Sequence, residues 1–132
     1  MTNDADIVAR TAWGEDRSGG IEGMHDVISV IRNRALNPRW WGKNFAEVCV
    51  KPWQFSCWNE NDPNRSKILA VTLDDPLFAA ATSLAAEAIN GTLGDRTGGA
   101  DSYYAIGTTM PFWAKTLEPC YSNQHHWFFR TV

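Results

Sequence analysis

Residues 13–23 read Trp13-Gly14-Glu15-Asp16-Arg17-Ser18-Gly19-Gly20-Ile21-Glu22-Gly23. Helical patterns flank this stretch. Upstream, Asp4 to about Trp13 carries Ile7, Val8 and Ala12 and predicts a short helix. Gly14 and the polar, glycine-rich run Glu15–Gly20 predict a break between two helices. Downstream, Met24, Val27, Ile28, Ile31 and Ala35 fall on one helical face, and Asn37-Pro38 closes the pattern. An acid is thus expected at a helix junction beside the Trp13 ring. A carboxyl group held against an apolar ring is desolvated, which favours its protonated form. Such a group can donate a proton near neutral pH.

Beyond the second helix, Trp40 to about Asn64 reads as loop-rich. Within it, Asn44-Phe45-Ala46-Glu47 has the form of a capping box opening one short helical turn. Gln54-Phe55-Ser56-Cys57-Trp58 reads as extended, and residues 65–73, with Ile68, Leu69 and Val71, as a short helix. Asp75-Pro76 supplies an N-cap followed by proline at the first helical position. Leu77, Ala81, Leu84, Ala85 and Ala88 mark the buried stripe of that helix, and Asn90-Gly91 ends it. After Gly98-Gly99 the pattern changes: Ser102-Tyr103-Tyr104-Ala105 and His126–Arg130 read as aromatic-rich strands. Helices first and strands later predict an α+β fold, mainly helical, with a small antiparallel sheet formed late in the chain.

The 132 residues fit one domain, 1–132, and the 44% hydrophobic and 20% charged residues place it among globular chains. A net charge of -3 excludes the basic face that tight nucleic-acid binding requires. No run approaches the ~20 apolar residues of a membrane span, so no membrane insertion is expected. The acidic start Met-Thr-Asn-Asp-Ala-Asp does not resemble a secretory signal. Cys49, Cys57 and Cys120 are odd in number, which suits a reducing compartment, although a Cys49–Cys57 bridge remains open. The chain is therefore expected in the cytoplasm of the cell that makes it. Seven tryptophans are unusual for this length. Most should be core residues, with one or two lining a groove, where flat indole faces stack on the C–H faces of sugars.

The opening motif, an aromatic residue, then Gly-Glu-x-Arg, then a short glycine turn ending in Glu-Gly, resembles that of the spore-cortex-lytic (SleB-like) cell wall hydrolases. The similarity continues through Asn33-Arg34, Gln54–Trp58, Thr97–Asp101 with Tyr103, Pro111–Ala114 and His126–Phe128. It thus runs from about residue 5 to residue 130. It implies a lysozyme-like domain acting on peptidoglycan glycan strands, with Glu15 as the catalytic residue and no cofactor. It also implies lytic transglycosylation, in which one carboxyl acts first as acid and then as base, leaving a 1,6-anhydro sugar. Many short members carry His-Tyr-His where this chain has Ser102-Tyr103-Tyr104, so any substrate contact made by those imidazoles is altered here. Gln54, Tyr103, Tyr104, Glu22 and Trp113 are the expected substrate contacts.

Other residues give competing readings. Asp16 neighbours Glu15 but is expected to point elsewhere. Glu22 either provides a second carboxylate for ordinary glycoside hydrolysis, or caps the second helix or pairs with Arg17 or Arg34. Gln54 either hydrogen-bonds a substrate N-acetyl group or satisfies loop backbone. His25, His125, His126 and Cys120 are the raw material for a zinc-dependent N-acetylmuramoyl-L-alanine amidase. However, no metal-binding spacing is present, and adjacent His125 and His126 would face opposite sides of a strand. No metal is expected. A non-catalytic wall-binding module would use the tryptophans but has no need of Glu15. The chain resembles a monomeric, phage endolysin-type enzyme that reaches the wall after release from the cell; the alternative is a host or virion-associated wall-remodelling enzyme.

Overall fold

A computed structural model describes residues 3–132. Among the described residues, five α-helices come first: α1 (Asp4–Asp16), α2 (Gly20–Leu36), α3 (Phe45–Val50), α4 (Pro63–Ala70) and α5 (Pro76–Asn90). Three strands follow: β1 (Ser102–Ala105), β2 (Tyr121–Ser122) and β3 (His126–Phe129). They form an antiparallel sheet in the order β1-β3-β2, with Ser102 opposite Phe129 and Tyr121 opposite Phe128. This is the expected α+β architecture. The short strand β2 was not foreseen, because two residues carry no readable alternation.

The first junction is tighter than the glycines suggest. α1 does not stop at Gly14 but continues to Asp16, and a 3-10 turn, Arg17–Gly19, leads directly into α2. Gly14 serves packing rather than termination. A Cβ there would lie 2.6 Å from Ile68 Cγ2 and 2.9 Å from Cys57 Cβ. Its bare backbone lets α4 and the 56–58 segment press against α1.

Helix ends follow the capping chemistry read from the chain. Asn44 Oδ1 accepts the Glu47 amide at 2.9 Å, and Asp75 Oδ1 accepts the Phe78 amide at 3.0 Å. Gly91 closes α5 in the left-handed conformation, φ 81°. Asp62-Pro63 opens α4 in the same way as Asp75-Pro76 opens α5. Gln54–Trp58 is not extended; Ser56–Trp58 forms a 3-10 turn that tucks Cys57 into the core.

The main core lies between α1, α2 and α5 and includes Val8, Ala12, Met24, Ile28, Phe78 and Ala81. A smaller cluster of Val30, Ala100 and Phe128 seats the sheet on α2. Cys49, Cys57 and Cys120 are free thiols, so the open Cys49–Cys57 bridge is not formed. Burial pushes the Cys49 thiol up to about 12.

Candidate active site

Glu15 sits in the last turn of α1, facing β1 and the 54–58 segment. Its Oε1 accepts the Tyr103 hydroxyl at 2.9 Å, and its Oε2 accepts the Cys57 amide at 3.2 Å. Burial raises its pKa above the ordinary glutamate value; the bonds from Tyr103 and Cys57 oppose that shift without cancelling it. The group is therefore poised between two states. Desolvation favours the protonated form, and two fixed donors favour the charged one.

Trp13 does not supply the apolar wall expected of it. Residues i and i+2 turn to different faces of a helix. Trp13 is instead buried in the core, with the Arg17 guanidinium 4.1 Å over its ring. The walls come from later in the chain. A groove of about 560 Å³ opens over Glu15, flanked by Trp40, Trp53, Phe55, Tyr103 and Trp113. Glu15 is the only carboxylate among the described residues lining it.

Arg34 forms the groove's polar floor. Its Nε donates to the Asp101 carbonyl at 2.6 Å, and its Nη1 donates to Gln54 Oε1 at 3.2 Å. Phe55, Trp41 and Trp40 surround the guanidinium at 5.4, 5.5 and 6.0 Å. The bond to Oε1 orients the Gln54 amide and leaves its NH2 group available to the groove. In the sequence Asn33-Arg34 stands out only as part of a motif. Asn33 explains the pairing: its Nδ2 donates to the Ala100 carbonyl at 2.9 Å, so both residues tie α2 to the strand that carries Tyr103.

The remaining candidates are dispersed. Trp113 lines the groove and meets Phe129 edge-on at 5.3 Å. Tyr104 stacks on Phe129 at 5.7 Å and does not line the groove. Glu22 lies outside it too. It neither caps α2 nor pairs with Arg17 or Arg34; its side chain is largely exposed, and Arg96 Nη2 is 3.9 Å away.

Asp16 does point elsewhere, into a buried cluster. Its Oδ1 lies 2.8 Å from His125 Nδ1 and its Oδ2 3.6 Å from His126 Nδ1. The two histidines converge rather than face opposite sides, because His125 precedes β3. Asn123 Oδ1 accepts both their backbone amides, curling the turn back. The His126 ring meets Tyr103 edge-on at 4.8 Å, bracing the residue that holds Glu15. His25 contacts the Gly94 carbonyl, and Cys120 contacts that of Thr97. The four zinc candidates therefore do not gather at one point.

A sequence profile described as cell wall hydrolase matches residues 18–129. The chain belongs to the cell wall hydrolase family. Glu15 lies just ahead of the matched span. No curated protein sequence matches this cell wall hydrolase significantly. Among solved structures, the catalytic domain of the Bacillus cereus SleB protein superposes with a TM-score of 0.77 at 24% identity, covering 98% of this chain and 91% of that one. The catalytic domain of the germination-specific lytic transglycosylase SleB from Bacillus anthracis gives 0.76 at 24% identity, covering 98% and 96%. The fold of this cell wall hydrolase is thus the lysozyme-like fold of those domains.

Tyr103→Phe should lower kcat about 10- to 100-fold, the effect of removing one hydrogen bond to a developing charge. It should also move the alkaline limb of the pH–rate profile upward, since a bond that lowers the Glu15 pKa is gone. A purely structural role for Tyr103 would leave that limb in place.

Proposed function

We propose that this protein cleaves the MurNAc–GlcNAc bond of peptidoglycan glycan strands by lytic transglycosylation, with Glu15 as sole general acid and base. The observation that carries this reading is a single desolvated carboxyl group, with a donor on each oxygen, at the floor of an aromatic groove. Protonated Glu15 gives its proton to the glycosidic oxygen as the bond to muramic acid C1 breaks. The carboxylate left behind, held by Tyr103 and Cys57, then takes the proton of the C6 hydroxyl as O6 closes on C1. The proton gained in the second step replaces the one given in the first. No water is consumed and no second carboxylate is needed.

The lining residues divide the remaining work. Gln54, with its carbonyl held by Arg34, donates to an N-acetyl oxygen. Trp113 and the neighbouring rings stack on sugar faces. Tyr104 and Glu22 stand outside this arrangement. The active unit we assign is a monomer. The free thiols fit synthesis in a reducing cytoplasm, and the biological setting we assign is a phage endolysin that reaches the wall at lysis. The name of the Bacillus anthracis relative, a lytic transglycosylase, supports the chemistry.

Clearing of purified sacculi should proceed at an unchanged rate after exhaustive chelation, because a carboxyl group moves the proton. Activity lost on chelation and restored by zinc would transfer the case to an amidase.

A further inference from the structure

A second cavity of about 450 Å³ adjoins the catalytic groove, and Trp53 belongs to the walls of both. Trp53 is held at double cost. It is 79% exposed, well above the other tryptophans, and it belongs to neither apolar core cluster. It also has φ 68°, the only positive φ outside glycine among the described residues. For a bulky side chain this region is disfavoured, because Cβ crowds the backbone carbonyl. An indole left in water also forgoes the gain of burial. The fold obtains no packing in return for either cost. Strain retained in this way concentrates where a ligand is gripped.

We propose that Trp53 is a stacking platform shared by the catalytic groove and a second, glycan-binding subsite that takes a further N-acetylhexosamine unit of the same strand. This rests on the reading of the groove as a glycan site. The far wall suits a neutral sugar. Trp58 lines it, with Nε1 fixed by a 2.8 Å bond to Thr11 Oγ1, so the ring is a rigid surface. Asn59 and Asn61 present amides able both to donate and to accept, the pairing that hydroxyl and acetamido groups require. Lys51 and Glu60 balance in charge. A stem peptide, with its free carboxylates, would call for an excess of positive charge that this wall does not have.

The test uses the full chain carrying Glu15→Gln, so that bound strands stay intact. Its affinity for peptide-free GlcNAc–MurNAc oligosaccharides of increasing length is measured by calorimetry. The dissociation constant should tighten about tenfold between a chain filling only the groove and one reaching past Trp53. Adding Trp53→Ala should abolish most of that gain with length, and Trp53→Phe should keep most of it. The melting temperature should hold in both, since the side chain packs in no core. A length gain that survives Trp53→Ala, or that appears only when stem peptides are attached, overturns the second subsite. Binding of short chains with no length gain overturns the subsite and leaves the glycan reading standing. No binding at any length overturns both.

Discussion

Glu15→Gln lowers the rate of wall clearing by about 10²- to 10⁴-fold, the range of a positioned acid–base group, and leaves the fold at least as stable as before. The shape of the side chain is kept, and so are its contacts. The amide oxygen still accepts one of the two donors, and the Tyr103 hydroxyl can turn to accept from the new NH2 group. The ability to give and retake a proton is lost. Stability follows from linkage. Below the ordinary glutamate value, near 4.5, Glu15 is protonated both folded and unfolded. Above it the unfolded chain releases the proton while the buried group retains it, so rising pH favours unfolding until the raised folded pKa is passed. Glutamine carries no such penalty. Thermal unfolding should therefore show little gain for the variant well below pH 4.5 and a gain that grows with pH above it until the raised folded pKa is passed. In the parent protein, kcat/KM should fall on the alkaline side at a pH above that of an ordinary glutamate. Near-normal clearing by a clean Glu15→Gln preparation would remove Glu15 from the chemistry.

Arg34→Met damages both folding and catalysis. The methionine fills part of the space between Trp40, Trp41 and Phe55, but the Asp101 carbonyl loses its 2.6 Å donor. A buried acceptor left unpaired costs about 1–3 kcal/mol, measurable as a lower denaturant midpoint with an unchanged slope. Gln54 loses the bond that fixes its amide, and misplacement of this order lowers kcat/KM by up to about 10²-fold. Most of that loss should appear in KM if Gln54 grips the substrate before the bond breaks, as proposed. Arg34→Lys separates the two roles. It keeps a charge but lacks the planar fork that serves Asp101 and Gln54 together, so it should recover stability more than affinity. An unchanged KM in both variants would leave Arg34 a purely structural residue.

The helices were legible where local chemistry decides them. Asn44, Asp75 and Gly91 announce their ends because capping is settled within four residues. α4 was only half read, although Asp62-Pro63 carries the same signal as Asp75-Pro76. The 3-10 turn Ser56–Trp58 escaped because an aromatic-rich run looks extended, while its conformation is set by Cys57 packing against Gly14 of a distant helix.

The site divides in the same way. Glu15 stood out through its motif, and Tyr103, Gln54 and Trp113 do gather around its groove. Tyr104 and Glu22 do not, and nothing local to Ser102-Tyr103-Tyr104 tells which ring turns toward α1. The partners of Glu15 are set by long-range contacts: Tyr103 lies 88 residues away and the Cys57 amide 42. Arg34 was hidden for a similar reason, because its bonds run to Gln54 and to a backbone carbonyl 67 residues away. The convergence of His125 and His126 on Asp16 depends on a turn held by Asn123, which alternation along a strand cannot foresee.

The central claim is that one carboxyl group serves as acid and then as base, so that water is never the nucleophile. Mass spectrometry of purified sacculi after digestion tests it directly. The account predicts muropeptides ending in 1,6-anhydro-muramic acid, ~18 Da lighter than hydrolytic products and without a new reducing end, as one-carboxylate chemistry requires. Reducing muramic acid as the main product would contradict transglycosylation while leaving glycan cleavage in place, and free peptides beside intact glycan strands would contradict the account altogether.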